Sequence, residues 1–145
     1  MDRITRDMGL MRTAEIWSMR GTCGRLKVGA VFSIEGRILA QGYNGAPAGL
    51  PHCQHSKDTR EDLDILACRA QHAEMNGVAW AARKGVKLEG CELHVTDSPC
   101  LSCAMTSLNA GVLRVVYMRP YRLTAGVDLL ASAGVEVVDF QSLIA

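Results

Sequence analysis

The stretch QHAEMNGVAWAARKGVKLEGCELHVTDSPCLSC, residues 71–103, decides the fold of this chain. Residues 71–84 have the apolar spacing of a helix, and Gly85 is a typical residue at a helix end. Residues 92–96 have the composition of a β-strand, and a second helix is predicted over 100–110. The order helix, strand, helix is typical of α/β folds.

Two motifs within this stretch indicate a metal site. His72-Ala73-Glu74 has the form H-x-E, and Pro99-Cys100-Leu101-Ser102-Cys103 has the form P-C-x-x-C. The imidazole of His72 and the thiolates of Cys100 and Cys103 give Zn²⁺ three protein ligands. A tetrahedral ion then keeps its fourth position for water, as catalytic sites do. Together the motifs match the signature of zinc nucleobase deaminases.

Glu74 is predicted to carry protons rather than to bind the metal. Attack of water on C4 of a cytosine ring requires a proton at ring N3 and, later, one at the departing amine, and a carboxylate beside the water can deliver both. Ser98 and Pro99 are predicted as the N-cap and first residue of a helix that begins near Cys100. The positive end of that helix would favour the thiolate.

The same residues allow plainer interpretations. A C-x-x-C motif alone is compatible with a redox pair or with half of a structural zinc site, and Glu74 alone with a solvated helix residue. The non-enzyme alternative is a zinc-stabilised interaction module. The H-x-E motif and Pro99 favour catalysis, because a structural zinc does not need a nearby carboxylate.

Composition favours a compact enzyme that acts on a small molecule. The 145 residues fit a single domain over 1–145, and 48% hydrophobic with 21% charged residues is ordinary for a globular protein. A net charge of +1 argues against stable binding of nucleic acid.

Cellular location is predicted from what the sequence lacks. No apolar run reaches the roughly 18–20 residues of a membrane helix, and residues 1–7 are too charged for a secretory signal. Six cysteines without an export signal are expected to be reduced. We therefore expect a cytoplasmic protein without a membrane partner.

The first half of the chain has its own pattern. Apolar positions 8, 11, 16, 17 and 19 predict an amphipathic helix that ends before Gly21. Residues 27–32 and 37–43 are predicted strands joined by a hairpin turn. Residues 46–67 show no period and are predicted to form a long, functional or tethered loop.

The second half alternates strands and helices. Strands are predicted over 112–118 and 135–140, with a helix over 123–132 between them. This alternation predicts an α/β sandwich with parallel strand pairs in the later half. The helices carrying His72 and Cys100 would begin at the carboxyl edge of neighbouring strands. Cys91, at a strand start, is expected in the core.

Over nearly its whole length the chain resembles the cytidine deaminase superfamily, and within it is similar to deoxycytidylate (dCMP) deaminases. The resemblance implies a three-layer α/β/α sandwich around a mixed five-stranded sheet, and deamination of dCMP to dUMP and ammonia. It also implies zinc on His72, Cys100 and Cys103, with Glu74 as proton shuttle. The residues that carry it are Lys27-Val28-Gly29-Ala30-Val31, Gly42-Tyr43-Asn44-Gly45, His72-Ala73-Glu74-Met75-Asn76, Pro99-Cys100-Leu101-Ser102-Cys103-Ala104, and Ala110-Gly111-Val112 leading to Val116-Tyr117.

The resemblance also implies substrate contacts. Asn44 would hydrogen-bond the sugar, although Asn-Gly is by itself a turn signal. Ala73 is expected beside the substrate. The 5′-phosphate needs cations or donors at the rim, although surface Arg and Lys are usually only solvated charges. The candidates for the phosphate are Arg25, Lys27, Tyr117, Tyr121 and Arg122, with Arg25 and Tyr121 favoured.

A second, structural zinc is predicted beside the long loop. Cys23, Cys53 and Cys68 flank it, with His52 or His55 as the fourth ligand. A closed site would order a loop with few apolar residues. The alternative is three buried free thiols with exposed histidines.

Regulation and assembly follow from the resemblance alone. Many dCMP deaminases form hexamers and respond to dCTP and dTTP, so we expect a homo-oligomer, hexamer or dimer, and Mg²⁺ accompanying a nucleotide effector. Arg83 and the loop from Gly45 to Gly49 are expected at an effector or subunit contact. Arg83 as an ordinary charge at a helix end is an equal alternative.

Three further substrates stay open. The chain could also deaminate dCTP, act on a free nucleoside or nucleobase, or act on an extruded base in tRNA or single-stranded DNA. The last interpretation requires a basic, aromatic surface. A net charge of +1 and 5% aromatic residues weaken it.

Overall fold

Strands and helices alternate along the part of the chain that the computed structural model describes, residues 2–53 and 68–145. Most predicted elements agree with the structure to within two residues. The short last helix was not predicted. The elements are α1 (Arg6–Ser18), β1 (Gly29–Ile34), β2 (Arg37–Tyr43), α2 (Ala73–Lys84), β3 (Glu92–Asp97), α3 (Leu101–Ala110), β4 (Arg114–Arg119), α4 (Ala125–Ser132), β5 (Glu136–Asp139) and α5 (Gln141–Ile144).

The five strands form one mixed sheet in the order β2-β1-β3-β4-β5. β1 runs antiparallel to β2 and to β3, whereas β3–β4 and β4–β5 are parallel. Glu35 and Gly36, with φ of 51° and 79°, make the tight turn between β1 and β2, since two positive φ angles match the twist of a hairpin. Parallel neighbours need a crossover, which α3 and α4 supply. The predicted mixed five-stranded sheet is confirmed.

Helices cover both faces of this sheet. On one face, Leu10, Met11 and Ala14 of α1 pack against Val31 and Val116. On the other, α2, α3 and α4 pack over the apolar side chains of β1, β3 and β4. The three-layer α/β/α sandwich is therefore confirmed.

The first helix departs from its predicted apolar face. Ile16 and Met19 are 65% and 77% exposed, whereas Met11 is fully buried. The prediction was wrong for these two residues because the buried stripe follows Leu10, Met11 and Ala14 instead. Cys91 is fully buried, as expected.

The long loop lies largely outside the described residues. Residues 46–53 contain no helix or strand, and the prediction for 54–67 falls on the part that is not described. Within the described ranges, every helix is too short or too polar to cross a membrane.

The residues of the predicted site lie at one edge of the sheet. β2 and β3 both end there, and β1 begins there, because β1 is antiparallel to both. His72 directly precedes α2, and Cys100 directly precedes α3. The prediction that these helices start beside neighbouring strands was wrong in one respect, since β1 lies between β2 and β3.

Candidate metal centre and active site

His72, Cys100 and Cys103 meet at this edge. Their ligand atoms all lie within 4.8 Å of one another. His72 Nδ1 is 3.5 Å from Cys100 Sγ and 3.3 Å from Cys103 Sγ. Zn–S and Zn–N bonds of ordinary length at tetrahedral angles separate sulfur and nitrogen by about 3.5 Å. The three side chains therefore fit a tetrahedral zinc, and among the described residues no fourth His, Cys, Asp or Glu joins the group.

The start of α3 differs from the prediction. The helix begins at Leu101, with Cys100 rather than Ser98 in the N-cap position. The Ser98 hydroxyl instead accepts a hydrogen bond from the backbone N–H of Tyr121, at 2.6 Å. The Ser98 side chain, which local propensity predicts as the helix cap, is thus used in a tertiary hydrogen bond instead. Cys100 still lies at the positive end of α3.

The two thiols differ in their protonation. Hydrogen bonds with Cys103 and His72 lower the pKa of Cys100 to about 4. The hydrogen bond with Cys100, followed by burial, raises the pKa of Cys103. Contact with the Cys100 thiolate also raises the pKa of His72. Zinc binds thiolates and a neutral imidazole nitrogen, so metal binding would release the protons that these side chains carry.

Glu74 lies in the first turn of α2, almost completely buried at 4% exposure. Burial raises the pKa of its carboxyl group to about 7. Its oxygens do not belong to the group of possible metal ligands. A buried carboxyl group that gains and loses a proton near neutrality suits general acid–base catalysis.

A cavity of about 230 Å³ opens over these side chains. His72, Glu74 and Cys100 line it, whereas Cys103 is fully buried and does not. Among the predicted substrate contacts, Arg25, Asn44, Ala73 and Tyr121 also line this cavity, whereas Lys27, Tyr117 and Arg122 do not.

The side-chain amide of Asn44 makes two hydrogen bonds to the backbone of a neighbouring segment. Its Oδ1 accepts the N–H of Val28 at 2.8 Å, and its Nδ2 donates to the carbonyl oxygen of Leu26 at 2.5 Å. The amide therefore holds Leu26 and Val28, both of which line the cavity. One amide hydrogen and one lone pair remain for a ligand.

Gly45 does not form the turn that Asn-Gly suggests. Its backbone pairs with Gln71, with N–H to oxygen distances of 3.3 and 2.8 Å. Gly45 is buried, and this bridge joins the end of β2 to the residue before His72. Arg83, the other expected effector or interface residue, is exposed in the last turn of α2.

Asp97 and Arg119 were missed by the sequence analysis. Asp97 lines the cavity and forms a two-pronged ion pair with Arg119, at 3.1 and 2.9 Å. The two residues are partners in the register of β3 and β4. The only available signal was the position of Asp97 two residues before Pro99.

A second group of thiols lies beside the cavity. The sulfurs of Cys23, Cys53 and Cys68 are within 4.8 Å of one another, and Cys23 and Cys68 also line the cavity. His52 is exposed and does not belong to this group. His55 lies outside the described residues. Burial raises the pKa of Cys23.

Comparison with known proteins gives a consistent result. A family model described as "Cytidine and deoxycytidylate deaminase zinc-binding region" matches residues 4–119. "ComE operon protein 2" of Bacillus subtilis (strain 168) is 35% identical over 138 residues, which cover 94% of this chain and 72% of that protein. The deoxycytidylate deaminase of Enterobacteria phage T2 is 30% identical over 172 residues, with 92% of each chain covered.

A solved structure agrees with these relatives. The crystal structure of dCMP deaminase from the cyanophage S-TIM5, in complex with dCMP and dUMP, aligns with a TM-score of 0.81. It is 34% identical and covers 96% of this chain and 99% of that chain. The resemblance stated from the sequence is thereby confirmed, and the match over residues 4–119 shows that the chain belongs to the cytidine and deoxycytidylate deaminase family.

Proposed function

We propose that this protein catalyses the zinc-dependent hydrolysis of dCMP to dUMP and ammonia. The observation that carries the proposal is a buried carboxyl group, Glu74, at the same cavity as the group formed by His72, Cys100 and Cys103. A structural zinc would need neither the cavity nor the carboxyl group. The relatives that are named deoxycytidylate deaminase support dCMP as the substrate.

Each side chain has a proposed part in the reaction. His72, Cys100 and Cys103 would hold Zn²⁺, which when bound acts as a Lewis acid that makes water nucleophilic near neutral pH. Glu74 accepts a proton from the attacking water and delivers it to ring N3 as the C4–O bond forms. It then transfers the remaining proton of that water to the departing amino group. Ammonia leaves, a carbonyl forms at C4, and the carboxylate is restored.

Substrate contacts are proposed from the cavity wall. Arg25 and Tyr121 would bind the 5′-phosphate, because a guanidinium and a phenolic hydroxyl both donate to phosphate oxygens. Asn44 is hydrogen-bonded to Leu26 and Val28, and its remaining amide hydrogen and lone pair would bind the sugar. Ala73, at the start of α2, would contact the base.

A second, structural zinc on Cys23, Cys53 and Cys68 is a separate proposal. Three sulfurs within 4.8 Å of one another support it, since a structural zinc commonly takes several thiolates. The fourth ligand is open between His52 and His55. The site would tie residues 23, 53 and 68 together.

Regulation and assembly belong to the same proposed function. Control by dCTP and dTTP, with Mg²⁺ bound to the nucleotide, remains a prediction, as do the homo-oligomer, the single domain over 1–145 and the cytoplasmic location. Saturation by dCMP that is hyperbolic and unchanged by dCTP would contradict the allosteric prediction.

Release of ammonia from different cytosine compounds tests the function. We expect turnover of dCMP to exceed that of deoxycytidine, dCTP and a cytosine-containing oligonucleotide, each measured on zinc-loaded protein. Equal turnover of dCMP and deoxycytidine would contradict a phosphate-binding site. Preference for the oligonucleotide would contradict the proposal as a whole.

A further inference from the structure

Several glycines lie where the backbone of a neighbouring segment leaves no room for a side chain, and the distances are shortest at Gly29, Gly42 and Gly126. A Cβ atom built on Gly126 would lie 2.1 Å from the carbonyl oxygen of Pro99 and 2.8 Å from the carbonyl carbon of Cys100. On Gly29 it would lie 1.9 Å from the carbonyl oxygen of Ala14, and on Gly42 2.1 Å from that of Ala73. Carbon atoms normally approach other heavy atoms to about 3.5 Å, so even a methyl group requires backbone movement at each position.

Gly126 touches the backbone of a proposed metal ligand itself, whereas Gly42 touches Ala73, the residue after His72, and Gly29 touches α1. It lies in the first turn of α4, and its contacts are the backbone carbonyl groups of Pro99 and Cys100. Cys100 follows directly with its thiol, one of the three side chains that fit zinc. The first turn of α4 therefore rests on the backbone from which a metal ligand projects.

Ser98, the residue before Pro99 and Cys100, is hydrogen-bonded to the end of β4 and to the residues after it. The N–H of Ser98 donates to the carbonyl oxygen of Arg119 at 2.9 Å, and the Ser98 hydroxyl accepts the N–H of Tyr121. The segment from Ser98 to Cys100 is thus held by β4 and the residues after it on one side and by α4 on the other. Because these hydrogen bonds hold Ser98 in place, a side chain added at position 126 would displace the backbone of Pro99 and Cys100.

We propose that Gly126 is a positioning residue for the metal centre: its missing side chain lets α4 set the place of the Cys100 sulfur relative to His72 and Cys103. The inference rests on the metal role proposed above for these three residues. Functional metal sites hold their ligand distances to about 0.2 Å. A methyl group that displaces the Cys100 backbone by more than this would distort the triangle.

Gly126→Ala tests the inference, with Gly29→Ala as the matched control. Gly29 is packed equally tightly, but against α1, which carries none of the three proposed zinc ligands. We measure zinc affinity by competition with a chromophoric chelator, the visible absorption of Co²⁺-substituted protein, and thermal stability. Residues behind metal ligands typically change metal affinity by about 10–100-fold, so we expect a loss of that size for Gly126→Ala with an altered Co²⁺ spectrum. Gly29→Ala should lose stability but keep both metal properties.

A milder pair of variants covers the case in which the glycine variants do not fold. Thr124→Ala removes the 2.9 Å hydrogen bond from Thr124 Oγ1 to Asp128 and loosens the first turn of α4 without adding an atom. Ser132→Ala removes a 2.7 Å hydrogen bond at the far end of the same helix. We expect Thr124→Ala alone to speed zinc release to the chelator, by a few-fold.

The outcomes separate the inference from the proposed function. Unchanged zinc affinity and Co²⁺ spectrum in Gly126→Ala would overturn the inference, as would an equal loss in Gly29→Ala. If neither glycine variant folds, equal zinc release from Thr124→Ala and Ser132→Ala would overturn it. Wild-type protein that takes up no zinc would instead overturn the proposed function.

Discussion

At the scale of single residues, Glu74 combines burial with access to the cavity. Replacing it by Gln keeps its shape but removes its ability to accept and deliver protons. We expect Glu74→Gln to lower kcat by about two to four orders of magnitude, the usual size of a general acid–base contribution, while zinc content stays unchanged. Steady-state kinetics with dCMP and elemental analysis of the same sample measure both quantities.

The control for Glu74 is an exposed glutamate. Glu89 is exposed, with a side-chain accessibility of 75%, and forms a surface ion pair with Lys87 at 3.4 Å. Glu89→Gln should leave kcat unchanged. A Glu74→Gln enzyme with nearly full activity would show that some other group carries the proton.

Arg25 and Lys27 form a second matched pair at this scale. Arg25 lines the cavity, whereas Lys27, two residues later, is exposed and does not. Loss of a charge-assisted hydrogen bond costs about 1.5–3 kcal/mol, so Arg25→Ala should raise KM for dCMP by about tenfold or more. KM for deoxycytidine, which has no phosphate, should change little, and Lys27→Ala should affect neither substrate. An equal rise for both substrates in Arg25→Ala would remove Arg25 from the phosphate site.

At the scale of elements, α1 is joined to the sheet by a polar cluster. Asp7 of α1 receives hydrogen bonds from Arg114 at 2.7 and 3.2 Å and contacts Nε2 of the fully buried His94 at 2.7 Å. Asp7, Glu92 and His94 are also close enough to hold a cation. Arg114 already contacts the carboxylates of Asp7 and Glu92, at 2.7 and 3.6 Å. Its guanidinium therefore supplies the positive charge that a bound cation would otherwise provide.

This cluster makes stability depend on pH. The hydrogen bond from Arg114 holds the pKa of Asp7 below its usual 3.8, and burial holds the pKa of His94 below its usual 6.5. In both cases the pKa of the group is higher in the unfolded chain than in the folded protein. As the pH falls, the unfolded chain therefore binds the proton at a higher pH than the folded protein does. Stability should therefore fall as the pH drops below about 6.5 through His94, and fall further below about 4 through Asp7.

Asp7→Asn tests the contribution of the cluster. We expect it to lower the free energy of unfolding at pH 7 by on the order of 1–2 kcal/mol, because a partly buried charge loses its partner. The difference from wild type should shrink as the pH falls below about 4, because protonation of Asp7 in the unfolded wild-type chain then removes the stability that its charge supplies. Glu15→Gln, which breaks the exposed pair with Arg12, should cost no more than about 0.5 kcal/mol. Urea unfolding at several pH values measures these differences, and a pH-independent difference would contradict the prediction.

The elements also show what the sequence could and could not predict. His72, Glu74, Cys100 and Cys103 were predictable because short spacings at helix starts bring them to one sheet edge. Ser98 was assigned to a helix cap because local propensity cannot foresee its hydrogen bond with Tyr121. The Asp7–Arg114 contact joins residues more than 100 positions apart, so nothing local indicated it. The exposure of Ile16 and Met19 likewise depends on how α1 lies on the sheet.

At the scale of the whole molecule, the two cysteine-containing groups border one cavity. Cys23 and Cys68 line it together with His72 and Cys100, and Arg25 follows Cys23 by two residues. A zinc on Cys23, Cys53 and Cys68 would therefore hold the segment that presents Arg25. Loss of this zinc should disturb the binding of dCMP more than the chemical step.

Elemental analysis and kinetics of cysteine variants test this coupling. Wild-type protein should hold two zinc ions per chain, and Cys68→Ser one. Because Cys68→Ser leaves His72, Cys100, Cys103 and Glu74 unchanged, its KM for dCMP should rise while kcat changes less than about threefold, a small fraction of a general acid–base contribution. Cys91→Ala removes a buried thiol that belongs to neither group, so it should keep both ions even though a core cavity lowers its stability. Wild-type protein with a single zinc would leave Cys23, Cys53 and Cys68 as buried thiols and would contradict the coupling.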